Sequence, residues 1–342
     1  MVPTSPAKIK VSAVQQVCLV VKDLQKTIEA YWNILGIGPW AIFESGSPEV
    51  TDLKYHGKQI WSRHKVGVSQ AGLVELELIE PLYGPSVYQD WIDEHGEGLH
   101  HCKFLVKDLN VDRTVAEMEA QGFPCIFSMH WGENPRIRSV YFDTAKPLRC
   151  IWETSNRTGG IPQGATIYPE DPAAVSPAKV KVAGVKQIAI AVKDVVQTAE
   201  NYWNIMGIGP WEIREWGSHA LYDRAYYGKP AWARERLGHA YIGDLEIELV
   251  QPIEGDSLYQ DWIDEHGEGL HHLKFLCDDI DGVSKALTEQ GFTSIQNGHF
   301  GDPKMKAGGF NYIDIPPLHC IWEPVHKLKT LPMEPNFYVP PR

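Results

Sequence analysis

No apolar run in the chain is long enough to cross a membrane; stretches such as Val17 to Val21 fall far short of the ~20 residues a spanning helix needs. No lysine or arginine cluster offsets the formal charge of −12, which argues against nucleic acid and anionic membrane surfaces as partners. The opening residues, Met1 to Lys8, lack the apolar core of a secretory signal, so a cytoplasmic location is expected. Cysteine is scarce: there are six, and no Cys-x-x-Cys motif joins any two of them. What is present in abundance is length, and 342 residues favour two or more domains over one.

The organising feature is an internal repeat, which must be found before any other assignment is made. Tyr31 to Trp40 (YWNILGIGPW) returns as Tyr202 to Trp211 (YWNIMGIGPW). Tyr88 to His101 returns unchanged as Tyr259 to His272, and Ser5-Pro-Ala-Lys returns as Ser176-Pro-Ala-Lys. The spacing gives domains at 8–155 and 179–326, a linker at 156–178 rich in Gly, Pro and Thr, and a proline-rich tail at 327–342. Alignment of the halves sets Cys18 against Ala189, Cys102 against Leu273 and Cys277 against Val106; only Cys150 and Cys320 recur together. Cysteines that trade places with small apolar residues read as reduced core fillers without catalytic work.

A fainter repeat lies within each half. The run Gln16 to Leu24 resembles His101 to Leu109; both are β-type and end near an Asp (Asp23, Asp108) suited to cap a helix. Leu24, Ile28, Tyr31 and Leu35 then fall on one helical face, as do Val111, Val115 and Met118, with Gly122 at a helix C′ position. Gly36-Ile-Gly-Pro-Trp40 follows a helix and lacks a Lys-Ser/Thr ending, so it is a helix stop and no phosphate loop. The expected fold is α+β, with four βαβββ modules.

Four such modules, paired, resemble the vicinal-oxygen-chelate superfamily, which includes glyoxalase I and methylmalonyl-CoA epimerase. The resemblance implies two curved-sheet cups, each taking one metal ligand from the first strand and one from the last strand of each module. Carried over by position, it implies Gln16, Glu77, His101 and Glu153 in one half, and Gln187, Glu248, His272 and Glu323 in the other. His100 and His271 are the less favoured members of their pairs. A lone glutamate on an alternating strand is usually its solvent face, and Glu75 and Glu246 share a face with Glu77 and Glu248. The joint retention of four ligand-capable positions in both halves outweighs that reading. One imidazole, one amide oxygen and two carboxylates suit a divalent ion (Zn, Ni, Co, Mn or Fe), one per cup. Identical residue types leave open whether cups close within a half or across halves.

The resemblance implies proton abstraction beside a metal-bound carbonyl of a small, possibly aromatic, molecule: an isomerase, epimerase or lyase. Glu153 and Glu323 are the expected bases, with Glu77 and Glu248 on the opposite face. Three alternatives stand beside it. Glutathione-dependent glyoxalase I has the same ligand order, but its carboxylate-gripping arginine is replaced here by Val20 and Ala191. An extradiol-type dioxygenase needs a histidine where Gln187 stands. A metal-free binding or resistance protein would leave clustered carboxylates unpaired. Trp40, Trp61, Trp91 and Trp152 recur as Trp211, Trp232, Trp262 and Trp322, mostly as core, with one or two expected at a cup. Lys58 and Lys229 sit at expected turns, and His95, Glu97, His266 and Glu268 suggest a lid or a module contact. Four modules allow a monomer or a homodimer, with a small carbonyl compound as the partner.

Overall fold

The computed structural model describes residues 4–132, 134, 136–157, 161–301, 308–327 and 337–340. The parts of the expected linker and tail at 158–160, 328–336 and 341–342 lie outside these residues. In the first half the order is β1 (Val11–Val20), α1 (Leu24–Leu35), β2 (Trp40–Gly46), β3 (Val50–Tyr55), β4 (Lys58–Gln59), β5 (Arg63–Ala71), β6 (Val74–Tyr83) and α2 (Val87–His95). It continues with β7 (Gly98–Val106), α3 (Val111–Ala120), β8 (Cys125–Trp131), β9 (Arg138–Phe142), α4 (Ala145–Leu148), β10 (Ile151–Ser155) and β11 (Thr166–Tyr168). The second half runs β12 (Gln187–Ala191), α5 (Val195–Asn201), β13 (Trp211–Gly217), β14 (Ala225–Tyr226), β15 (Lys229–Pro230), β16 (Ala233–Ile242), β17 (Leu245–Gly255) and α6 (Leu258–His266). It ends with β18 (Gly269–Leu276), α7 (Ile280–Thr288), β19 (Thr293–Phe300), β20 (Gly308–Ile315), β21 (Cys320–Lys327) and β22 (Phe337–Val339).

Each half makes its own 11-stranded curved sheet. In the first the order is β11-β2-β5-β6-β1-β7-β10-β9-β8-β3-β4; the second is its counterpart, written from the other edge. The two modules of a half meet where β1 pairs antiparallel with β7, and β12 with β18. On their outer sides β1 pairs parallel with β6, and β10 with β7. A hairpin, β3–β4, leaves the first module to pair with β8 of the second, and its turn residues His56 and Gly57 have positive φ. The α+β fold with four βαβββ units is therefore present, and each cup closes within its own half.

Local chemistry accounts for the helices. Asp23 accepts from the Lys26 amide to start α1, and left-handed Gly36 stops it. In the second module Asn110, not Asp108, caps α3; Asp108 instead accepts from the Asn110 amide and pairs with Arg113. The expected face of α1 (Leu24, Ile28, Tyr31, Leu35) is fully buried. Gly67 and Gly238 let the helices approach the sheet. A Cβ there would sit 2.8 Å from Ile28 Cδ1 and 2.9 Å from Val195 Cγ2, respectively.

The linker and tail depart from the sequence reading. Strand β11 lies inside the expected linker and adds to the edge of β2; β22, in the tail, adds to β13 in the same way. Pairing to an open edge needs no side-chain period, so composition does not reveal it. The halves pack back to back. Tyr31 Oη donates to the Leu318 carbonyl and Tyr202 Oη to that of Leu148. The Ser5 and Ser176 hydroxyls donate to the Trp203 and Trp32 carbonyls, so each repeated lead-in grips the other half.

His64 on β5 is 2 % exposed, stands edge-on to Tyr88 and Phe127, and has no partner for either ring nitrogen. Burial, then the Arg63 charge, pushes its pKa down to about 4. A depressed folded pKa means that stability is full above the unfolded value of 6.5 and falls as pH drops toward 4. Denaturant titrations across that window should show up to roughly 3 kcal/mol of acid-dependent loss from this residue. His64→Leu should flatten that limb; an unchanged slope would contradict the assignment.

Candidate metal centre

Strand register assembles the site. In the first half Glu77, Cys18 and His101 are aligned across β6, β1 and β7. Two residues along β1, on the same face, Gln16 is aligned with Glu75 on one side and Lys103 on the other, and Glu153 of β10 pairs with Lys103. The second half repeats the two rows as Glu248–Ala189–His272 and Glu246–Gln187–Lys274–Glu323. All eight expected ligands thus converge, four to a cup.

In the first cup His101 Nε2 lies 3.5 Å from Glu77 Oε2 and 3.4 Å from Glu153 Oε2. Gln16 Nε2 donates to Glu75 Oε1 at 2.7 Å, which turns the amide oxygen away from Glu75. Gln16 Oε1, Glu77 Oε2 and His101 Nε2 are buried without a hydrogen-bond partner. His101 Nδ1 is 2.7 Å from His100 Nδ1, so His100 orients the ring and turns its Nε2 to the carboxylates. His100 is an orienting residue rather than a ligand. Lys103 Nζ lies 3.6 Å from Glu153 Oε1.

The electrostatics agree. Burial works against a charged His101, but Glu153 and Glu77 hold its pKa up at about 9. Burial likewise opposes ionised Glu153, while Lys103 and then His101 keep it down at about 2. Burial, and next the neighbouring glutamates, raises the phenols of Tyr88 and Tyr141, whose hydroxyls meet at 2.6 Å. The first cup is therefore two carboxylates around one imidazole, whose proton a bound cation would displace.

The second cup has the same frame with different surroundings. His272 Nε2 lies 3.4 Å from Glu323 Oε2 and 3.7 Å from Glu248 Oε2, and His271 Nδ1 is 2.9 Å from His272 Nδ1. Gln187 is fully buried with neither amide atom partnered. Glu248 Oε1 meets His239 Nε2 at 3.0 Å, where the first half has Val68 opposite Glu77. Glu246 is tied to Lys274 and Tyr241, leaving Gln187 without the partner that Glu75 gives Gln16.

Metal bonds of about 2.0–2.2 Å place neighbouring donors roughly 3–4 Å apart. The spacings in both cups fit a divalent ion, and the unpartnered donor atoms are those it would engage. The tightest grouping adds a residue that the repeat had marked as filler: Cys18, Glu77 and His101 offer ligand atoms all within 4.8 Å of one another. Burial first, then Glu77, raises the Cys18 thiol well above its usual pKa. All six cysteines are free thiols, as expected.

The cup itself is small, about 140 Å³, and includes Phe43, Met129, Trp131 and Arg157 among its walls. None of the recurring tryptophans lines it: Trp40, Trp152, Trp211 and Trp322 are fully buried, and Trp61 and Trp232 are exposed. Trp131, whose place in the second half is taken by Phe300, does. Val20 and Ala191, the positions of the missing arginine, are fully buried in the apolar clusters on the cup faces of the sheets, the first shared with the wall residues Val66, Ile79, Met129 and Tyr141. Lys58 and Lys229, expected in turns, are exposed at the first positions of β4 and β15.

A larger cavity, of about 540 Å³, lies between the halves, lined by Trp91, His95 and Glu97 with Trp262, His266 and Glu268. This is where the unchanged segment sits. Glu97 accepts from the Lys22 amide and faces His319; Glu268 accepts from the Lys193 amide and pairs with Arg149 at 3.1 Å. The segment is a contact between halves and not a lid over a cup.

Known proteins place this geometry. A triple mutant of 4-hydroxymandelate synthase from Streptomyces coelicolor shares the fold with a TM-score of 0.60 at 13 % identity, over 95 % of each chain. A xylose isomerase-like TIM barrel/4-hydroxyphenylpyruvate dioxygenase fusion protein aligns over 96 % of this chain and 51 % of its own, with a TM-score of 0.49 and 12 % identity. The uncharacterized protein YqjC of Bacillus subtilis (strain 168) is 25 % identical over 105 residues, which span 30 % of this chain and 64 % of that protein. The family model of the glyoxalase/bleomycin resistance protein/dioxygenase superfamily matches twice, at residues 15–142 and 186–308. The chain belongs to that superfamily, with one family unit in each half.

Proposed function

We propose that the chain is a metal-dependent enzyme that moves a proton next to the carbonyl group of a small molecule, as an isomerase, epimerase or lyase. One observation carries this reading: Gln16 Oε1, Glu77 Oε2 and His101 Nε2 are buried and converge without a hydrogen bond in the protein, the last two facing each other only as an ion pair at 3.5 Å. Leaving such groups unmet costs about 1–3 kcal/mol each, a cost that a bound cation removes. When bound, a divalent ion acts as a Lewis acid that polarises the carbonyl and makes the adjacent C–H more acidic.

The protein's own groups do the rest. Glu77 and Glu153 reach His101 from β6 and β10, strands on opposite sides of the β1–β7 pair. A carbonyl compound seated between them meets a carboxylate on either side. One takes the proton; the other returns it, at the same carbon for an epimerase or at its neighbour for an isomerase. Lys103 beside Glu153 keeps that carboxylate ionised before it takes the proton. Phe43, Met129 and Trp131 exclude water and suit an apolar or aromatic flank of the substrate. In the second half Glu323 and Glu248 have the same placement, with His239 holding Glu248 from behind.

The alternatives are weaker. Val20 and Ala191, both fully buried, supply no guanidinium at the position where a glutathione carboxylate would be gripped. In the first cup the one imidazole of the expected set falls short of the two-histidine, one-carboxylate set of the dioxygenase reading, and in the second the additional imidazole, His239, is hydrogen-bonded to Glu248.

Two outcomes test the proposal. Glu153→Gln together with Glu323→Gln should abolish turnover of an active carbonyl compound, and proton exchange into it from heavy water, by 100-fold or more (~10²–10⁴ for a lost acid–base group). Circular dichroism should stay native, and undiminished exchange would remove the base assignment. Methylglyoxal and glutathione should give no appreciable S-lactoylglutathione; brisk formation would move the substrate class to glutathione adducts.

A further inference from the structure

We propose that Cys18 is a fifth protein donor in the first cup, a thiolate ligand that the second cup lacks, so that the two cups differ in metal preference. The inference rests on the reading that divalent ions occupy the cups. Cys18 is flanked in register by Glu77 on β6 and His101 on β7, the two strands that β1 pairs with. Its sulfur, a Glu77 oxygen and a His101 ring nitrogen all lie within 4.8 Å of one another. With metal–sulfur bonds of about 2.3 Å and metal–nitrogen or –oxygen bonds of about 2.1 Å, donors on one ion sit no more than roughly 4.5 Å apart. The grouping is therefore close to closed around a single ion.

The neighbours point to the same use. His101 is fully buried, and its Nε2 and Glu77 Oε2 have no hydrogen-bond partner and face each other at 3.5 Å. Cys18 itself is fully buried, and its thiol reaches its neighbour's carbonyl, Leu19 O, at 3.5 Å and the Glu77 carboxylate. A thiol is a weak donor, so little hydrogen bonding is lost when a bound cation displaces its proton. Cys102, Cys150 and Cys320 belong to the main core cluster, with Cys125 and Cys277 packed against it. No other thiol is grouped with cup ligands among the described residues.

The second cup has Ala189 at this place, between Glu248 and His272, and places His239 behind Glu248 instead. One cup thus offers a soft sulfur, while the other offers only oxygen and nitrogen. Thiolate selects zinc or cobalt over manganese. The first cup is expected to hold zinc against manganese, and the second to discriminate less.

Cobalt reports this directly. The full chain, stripped with chelator and reloaded with Co²⁺, should show a near-ultraviolet thiolate-to-cobalt charge-transfer band. Cys18→Ala, which copies the residue of the second half, should lose the band while the cobalt content of both cups persists. The same variant should lose the zinc-over-manganese preference of the first cup. Cobalt in both cups with no band in the parent protein, or a band that survives in Cys18→Ala, would overturn the thiolate ligand and leave the metal reading standing. Failure of both cups to take up Co²⁺ would overturn both.

Discussion

Antiparallel pairing of the first strands of two modules, β1 with β7 and β12 with β18, is the constraint on which the rest depends. In-register neighbours on adjacent strands lie about 4.5–5.5 Å apart, and side chains of alternate residues share a face. The pairing therefore decides which side chains can share one ion. It sets His101 beside Cys18, and Lys103 beside Gln16, while the parallel strand on each side brings in Glu77 and Glu153. A slip of one residue would send each of these side chains to the opposite face and dissolve the centre. The glycines opposite α1 and α5 protect this register indirectly, because they let each helix lie flat on the back of its sheet.

Packing between the halves is a separate device from the cups. Reciprocal contacts repeat across it: Tyr31 with Leu318 and Tyr202 with Leu148, Ser5 with Trp203 and Ser176 with Trp32. Glu97 and Glu268 anchor the start of α1 and α5 through the Lys22 and Lys193 amides, and each faces a basic residue of the other half. The unchanged fourteen-residue segment thus serves two purposes: its middle faces the other half, and its last residue supplies His101 or His272 to a cup. His100 and His271 join them, touching the tryptophan on one side and the ligand imidazole on the other.

Much of this was legible in the sequence because period-2 alternation and the duplicated segments survive translation into sheet registers. Gln16, Glu77, His101 and Glu153 come together with their counterparts as the resemblance implied. What was not legible depended on neighbours across strands. Cys18 looked like filler because its counterpart is Ala189, and only the three-strand alignment reveals that Glu77 and His101 flank it. His239 was hidden in the same way, standing where the first half has Val68. Closure within each half could not be read from identical residue types. Strands β11 and β22 form from proline-rich segments that carry no strand pattern, and Asn110 took the cap that Asp108 seemed to offer.

The central claim is that each half closes its own cup around one divalent ion. Zinc content after reconstitution and removal of excess metal tests it most directly, measured in the parent protein and in His101→Ala and His272→Ala. The account predicts one zinc ion per cup in the parent and the loss of one ion in each variant, with the fold retained. A parent protein that binds no zinc, or variants that keep its full content, would contradict it.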